Sequence, residues 1–211
     1  MQEILPFCSV WRSVISFRMD IIVAISRIIV KKIDLRAGFM VCIRKRQGGI
    51  RMFREMRRKK QALSKEDCAR ILREERRGAL SVIGDMGYPY AVPLNFYYDE
   101  AEETIYFHCA REGHKIDALK ADAKACFTVW DGGTQEEGDW WQHVESVVAF
   151  CRAELVPAED TARILEKLRA LGAKYFPTKE KMEQEIADCA GRVQLVALHI
   201  EHLTGKHVRE K

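Results

Sequence analysis

Gly113, His114 and Lys115 follow one another at the start of a short helical pattern, just after a strand-like run from Ile105 to Cys109. A helix start presents unpaired backbone N–H groups and the positive end of the helix dipole. Lys115 adds a fixed cation, so the position is an anion site, with His114 as a second candidate contact. The run before it, Tyr106-Phe107-His108-Cys109, sets a histidine at a strand end, where an imidazole can give or take a proton near neutral pH. Upstream, Gly87 to Tyr98 alternates Tyr90, Val92, Leu94, Phe96 and Tyr98 on one face with Ala91, Pro93, Asn95 and Tyr97 on the other. Pro93 gives no N–H to a ladder, which marks an edge, a bulge or a close approach of ligand to backbone. A planar group over this strand, with its phosphate at the helix start, fits flavin mononucleotide (FMN). No Gly-x-Gly-x-x-Gly stretch offers a dinucleotide site, so FAD is not expected.

These residues need a scaffold. Ser64 reads as an N-cap with Asp67 three residues on, and Cys68, Ile71 and Leu72 form a helical stripe that ends before Gly78. Strands are expected over Ala79 to Gly84, Tyr90 to Tyr98, Ile105 to Cys109, Ala125 to Trp130, Glu145 to Val156 and Arg192 to Ile200. Asp85-Met86-Gly87 is the turn between the first two. Lys115 to Lys120 is a short helix, and Glu159 to Tyr175 a longer amphipathic one with Ile164, Leu165, Leu168 and Leu171 as its inner stripe. Lys179 to Cys189 is another helix beyond Pro177. The pattern predicts a mainly β chain with peripheral helices, built on an antiparallel six-stranded barrel.

Charge is unevenly spread. Met1 to Lys60 carries fifteen Lys/Arg against four Asp/Glu, a net of +11, which leaves −7 for the rest of a chain whose total is +4. A nucleic-acid partner would rest on that basic segment alone and is not expected. Residues 1–51 lack turn punctuation and periodicity and read as a basic extension, with 52–211 as the folded domain. Gln47-Gly48-Gly49 can be encoded by purine-rich codons just ahead of Met52, so Met52 is expected to be the natural start. The most apolar run, Ile21 to Val30, is broken by Arg27 and falls short of the roughly 20 residues that span a bilayer, so no membrane association is expected. Seven cysteines stand singly, with no Cys-x-x-Cys, which points to reduced thiols in a cytoplasmic protein. No metal site is expected: His199 and His202, three apart in a strand, should point to opposite faces. Cys109 reads as a packed thiol.

Several of these motifs, in this order, carry a resemblance. Gly87-Tyr-Pro-Tyr-Ala-Val-Pro-Leu-Asn95, Tyr106-Phe-His-Cys-Ala110, Gly113-His-Lys-Ile-Asp-Ala-Leu119, Ala125-Cys-Phe-Thr-Val129 and Glu201-His-Leu-Thr-Gly-Lys206 are similar to the pyridoxamine 5′-phosphate oxidase-like FMN-binding split-barrel superfamily, particularly its nitroimidazole-reductase branch. The resemblance implies a split barrel that holds FMN at the interface of a homodimer. It places Val92, Pro93, Leu94, Asn95 and Phe107 against the ring, His114 and Lys115 at the phosphate, and His108 beside both cofactor and substrate as the catalytic residue. It implies an oxidoreductase that passes electrons to a small acceptor, a nitroaromatic among the candidates. The alternative from another class is a non-catalytic protein that holds flavin or haem, with His108 and His199 as haem ligands. Trp140 and Trp141 either cover the ring or belong to the dimer interface.

Overall fold

The computed structural model describes residues 53–138 and 140–208. The expected extension over 1–51 and the expected start at Met52 lie outside the described residues. Seven strands form one antiparallel sheet: β1 (Arg77–Ile83), β2 (Pro89–Asn95), β3 (Tyr97–Asp99), β4 (Thr104–Ala110), β5 (Lys124–Trp130), β6 (Val144–Leu155) and β7 (Val193–Val208). Their order is β2-β1-β5-β6-β7-β4-β3. β2 and β3 are therefore the two outermost strands, although Phe96 alone separates them in sequence. A flat sheet could not satisfy that connection, so the sheet curls until its edges approach, and the result is a split barrel.

Phe96 also explains why seven strands are found where six were expected. The Tyr175 hydroxyl accepts the Phe96 N–H at 2.9 Å. It donates to the carbonyl of Arg76, 2.5 Å away, or to that of Phe96, 2.9 Å away. A side chain thus takes the backbone groups that a continuous strand would have given to a neighbour. The ladder breaks there and the chain crosses from one sheet edge to the other.

Four helices decorate the barrel: α1 (Lys65–Glu74), α2 (His114–Ala121), α3 (Thr161–Tyr175) and α4 (Lys179–Cys189). Ser64 caps α1 by accepting the Asp67 N–H at 3.0 Å, while its own hydroxyl donates to the Asp67 carboxylate at 2.8 Å. Asp160 and Thr178 cap α3 and α4 in the same way. Gly205 lets α1 seat on β7, since a Cβ there would lie 2.3 Å from the Cys68 sulfur. The β1–β2 turn places Met86 at φ 56° and Gly87 at φ 78°, a left-handed pair that glycine eases at its second position.

The core falls into two parts. Inside the barrel, Leu80, Val82, Phe96, Ile105, Phe107, Phe127, Val129, Val147 and Leu198 pack with Ile71 and Leu72 of α1 and Ile116 and Leu119 of α2. On the outside, Tyr106, Leu195 and Ala197 are covered by Ile164 and Leu168 of α3 and Met182 and Ile186 of α4. Full burial of side chains this size stabilises by about 1.5–3 kcal/mol each before entropy is counted.

β7 runs eight residues beyond its expected end at Ile200. It carries a bulge: Phe150 pairs with His202, but Cys151 pairs with Ile200, leaving Glu201 as the extra residue. The bulge corrects the expectation that His199 and His202 point to opposite faces. Ile200 and Leu203 both pack on the barrel core, so the two histidines share the outer face.

Candidate functional site

The split in the barrel lies between two incompletely paired stretches. β2 pairs only with β1, so its backbone groups facing away from β1 have no strand partner. Pro93, which cannot donate, sits on this edge strand as its chemistry requires. β4 pairs with β7 along its whole length, but on its other side β3 reaches only Thr104 to Tyr106. Phe107 to Ala110 is open on that side.

α2 bridges the opening. It leaves the end of β4 through Gly113, whose φ of 121° and missing side chain leave the first helical turn without a side-chain cap. His114, the first helical residue, stacks on Tyr90 of β2 with ring centroids 4.0 Å apart and planes 20° from parallel. Its Nε2 lies 3.4 Å from the Asp85 backbone nitrogen and 3.7 Å from the Asp85 carboxylate. Gly84 admits the ring, because a Cβ there would stand 2.9 Å from Nε2. Lys115, next in the turn, has no ion-pair or hydrogen-bond partner among the described residues. It lies close enough to the Cys109 thiol to oppose the upward pull of burial on that group. Cys109 packs half-buried against the core, as its sequence context suggested.

The eight sequence-predicted residues all border this split, but they do not all face it with a side chain. Val92 is half-buried, and Leu94 packs on the barrel core. Pro93 and Asn95 point outward and are exposed. Phe107 is 0% exposed, so its ring is core and only its backbone is open to a ligand. His108 and Cys109 alternate, and this puts His108 on the outer side of β4, opposite the thiol that Lys115 approaches.

His108 opens instead into a groove of about 340 Å³ shared with Asn95 and walled by α3 and α4. Desolvation by the surrounding protein lowers its pKa, and Glu185 partly opposes that pull. The shift favours the neutral imidazole, in which one nitrogen donates and one accepts. Its ring makes no hydrogen bond among the described residues. Glu185 and Tyr90 were missed from sequence; nothing local ties a residue of the last helix, or an edge-strand tyrosine, to this place. Trp140 is 79% exposed and meets Trp141 edge-on, with centroids 5.4 Å apart.

A sequence profile described as pyridoxamine 5′-phosphate oxidase matches residues 64–207. The chain belongs to the pyridoxamine 5′-phosphate oxidase-like family. That match spans the barrel, α1 and the α3–α4 hairpin. Among solved structures, the fold is similar to that of a candidate 5-nitroimidazole antibiotic resistance protein from Bacteroides thetaiotaomicron, at 20% identity and a TM-score of 0.58 over 69% of this chain and 86% of that one. It is also similar to a conserved hypothetical protein from Mycobacterium tuberculosis, at 17% identity and a TM-score of 0.59 over 72% and 90% of the two chains. A FAD-binding protein from Mesorhizobium loti matches at 21% identity and a TM-score of 0.52 over 71% and 98%. A search of curated proteins finds no match.

Other features of this family member bear on function. Two rows cross the outer face of the sheet: Pro93, Ala79, Thr128, Val148 and Thr204, and beside it Ala91, Ser81, Cys126, Phe150 and His202. Neither row contains a formally charged side chain, and Trp130 and Ile83 stand exposed at its margin. Among the described residues no group of three or more His, Cys, Asp and Glu could hold a metal ion. None of their helices is long and apolar enough to cross a membrane.

Proposed function

We propose that this chain is an FMN-dependent oxidoreductase of the nitroimidazole-reductase type, acting as a homodimer on a small acceptor such as a nitroaromatic. The observation that carries the reading is Lys115. Among the described residues it is an unpartnered cation in an uncapped first helical turn, next to an edge strand whose outer backbone groups have no strand partner, and this suits a phosphate attached to a planar ring. A single anion site of this kind suits FMN better than FAD, although a structural neighbour is described as FAD-binding. The bound flavin would supply the redox chemistry. Lys115 and the first-turn amides would hold the phosphate, and the β2 edge and the Asn95 amide would orient the ring. His108, neutral and with both ring nitrogens unengaged, is placed to hold or donate a proton at the acceptor. The two uncharged rows across the outer face of β2, β1, β5 and β6, bordered by exposed Arg77, Lys124 and Arg152, support self-association, since a solvent-facing sheet normally carries charge throughout.

The haem reading has less support. His199 is committed on both nitrogens, Nε2 to Glu154 at 2.7 Å and Nδ1 to Thr104 at 3.2 Å. It pairs with Thr104, four strand positions from His108, or roughly 13 Å along β4. One iron could not take both.

Extraction of the cofactor followed by mass spectrometry tests the reading. FMN is expected; FAD would overturn the choice of flavin, and no flavin after reconstitution would overturn the function. Lys115→Ala is expected to weaken FMN binding roughly ten- to a hundred-fold, the effect of losing one charge-assisted contact, with the melting temperature unchanged. His108→Ala is expected to keep flavin affinity and to slow single-turnover reoxidation by a nitroaromatic about 10²–10⁴-fold. Wild-type reoxidation in the flavin-saturated variant would remove His108 from the chemistry.

A further inference from the structure

The groove on the outer side of β4 differs in character from the split where Lys115 stands. Its walls are apolar, from Leu168 and Leu171 of α3 to Ile186 of α4, with Phe176 at the turn between the helices. Its volume of about 340 Å³ suits a small organic molecule, and a few convergent polar groups in an apolar recess are what such sites ordinarily contain. Beside Tyr175, whose hydroxyl is spent on backbone groups, and the Cys189 thiol, the polar side chains that converge here are Asn95, His108 and Glu185. Glu185 is the only formally charged one among the groove residues, and no Lys or Arg is among them. An anion entering the groove would find the Glu185 carboxylate on its wall, with the nearest guanidinium, Arg192, outside the lining and bonded to the Cys189 sulfur at 3.3 Å. A neutral or cationic molecule would find an apolar floor, a neutral imidazole and a carboxylate for its N–H groups.

We infer that the acceptor binds in the groove between α3, α4 and β4, and that it is a flat, apolar molecule, neutral or carrying a protonated amine, recognised by Glu185 and His108. The assignment of this ligand as the acceptor rests on the proposed function; its binding in the groove does not. The two recognition tasks are thereby divided by charge. The anionic group is taken at Lys115 on one side of β4, and the uncharged or cationic molecule on the other.

Cys189 lines the same groove as a partly exposed thiol in no disulfide. It donates to the Glu185 carboxylate at 3.1 Å and accepts from Arg192 at 3.3 Å, so it reports on occupancy when protection in each variant is measured against that variant's own ligand-free alkylation rate. Three nitroaromatic probes of similar size differ in charge: 4-nitrobenzylamine, 4-nitrobenzyl alcohol and 4-nitrobenzoate. Each is titrated into the purified flavin-loaded protein, and alkylation of Cys189 by iodoacetamide is followed by peptide mass spectrometry. The amine and the alcohol are expected to protect Cys189, the amine at about tenfold lower concentration, and the benzoate is expected to protect weakly or not at all. Glu185→Gln should bring the amine to the level of the alcohol. Ala190→Phe, which fills the groove from its wall, should abolish protection by all three. Flavin affinity, titrated in parallel by fluorescence, should be unchanged in both variants. Protection by benzoate equal to that by the amine, or protection that survives Ala190→Phe in a folded protein, overturns the inference. If Ala190→Phe fails to fold, Glu185→Gln decides, because an unchanged preference for the amine overturns it as well. Loss of flavin binding in the wild type would count against the proposed function and leave the groove standing.

Discussion

β4 and β5 alternate inward and outward residues alike, yet their outer faces meet different surroundings. On β4, outward-facing Thr104 and Tyr106 are 1% and 0% exposed beneath α3. On β5, outward-facing Cys126 and Thr128 are half-exposed and Trp130 is 50% exposed. The helices decide the difference. α3 and α4 lie between β6 and β7 in sequence and fold back over β4 and the first half of β7, while among the described residues no helix covers the outer side of β1, β2 and β5. The covered half is held by charge as well as by packing. Lys167, 3% exposed, donates to Asp99 at 2.9 Å and to Glu102 at 2.7 Å. The Tyr106 hydroxyl donates to Glu102 at 2.5 Å, and Arg163 joins Tyr106 to Glu154. Charges buried under a helix are satisfied within the chain, whereas the two uncharged rows of the bare half leave nothing unsatisfied when another surface covers them.

The largest effect is expected on the bare half. Thr128→Arg places a charge in the middle of the uncharged rows and, on the proposed dimer, should weaken association about 10²–10⁴-fold, while the fold survives. Sedimentation velocity reads the result. A wild-type protein that is monomeric at tens of micromolar would break the comparison outright.

On the covered half, Lys167→Met leaves Asp99 and Glu102 facing each other without their cation. The expected loss is toward the lower end of the roughly 3–5 kcal/mol for breaking a buried pair, because Glu102 can reach water and backbone amides still bond Asp99. Denaturant melts at pH 7 measure it.

The same cluster sets an acid limit. Burial works to raise the Asp99 pKa, but Lys167 and the amides of Glu102 and Ala101 outweigh it and hold the carboxyl below its usual value. Lys167 and Tyr106 hold Glu102 down as well. A carboxylate with a depressed folded pKa contributes stability that is complete above its unfolded pKa and is lost as pH falls through the folded one. Stability should therefore drop below about pH 4, and Lys167→Met should make that drop shallower. An equally steep acid transition in the variant would assign it to other carboxylates.

The smallest effect belongs to the seam between the halves. Tyr175→Phe removes the acceptor for the Phe96 N–H and should cost about 1–3 kcal/mol, the usual penalty for a buried donor left unpaired. Amide hydrogen exchange at Phe96 should rise with it. Unchanged protection there would mean that the strand break does not depend on the hydroxyl.

Much of this was legible because it is local. Ser64 and Asp67 form a cap across three residues, and Lys179 to Cys189 forms the helix its composition predicts between a threonine cap and a short turn. The alternation from Tyr90 to Tyr98 correctly sorted inward from outward side chains, and of the edge, bulge or ligand approach that Pro93 signalled, the structure shows the edge. The Gly113-His114-Lys115 helix start was also readable, since capping and dipole depend only on neighbours in sequence.

What stayed hidden depended on groups distant in sequence. The break at Phe96 is made by a hydroxyl 79 residues later. The run Glu201 to His207 lacks apolar alternation, yet it is a strand because β6 is twelve residues long and pairs with it. The bulge at Glu201 reverses the face of every residue beyond it, so the parity of His199 and His202 could not be counted from sequence. Sequence by itself determined the local elements, the faces of the strands without a bulge and the uncapped helix start at Gly113, because those follow from backbone geometry within a few residues. Only the tertiary structure decided that Phe107 is core, that His108 and Lys115 lie on opposite sides of β4, and which outer face the helices cover. Those outcomes follow from which apolar surfaces meet when the sheet curls, and a sheet face has the same period whatever comes to lie on it.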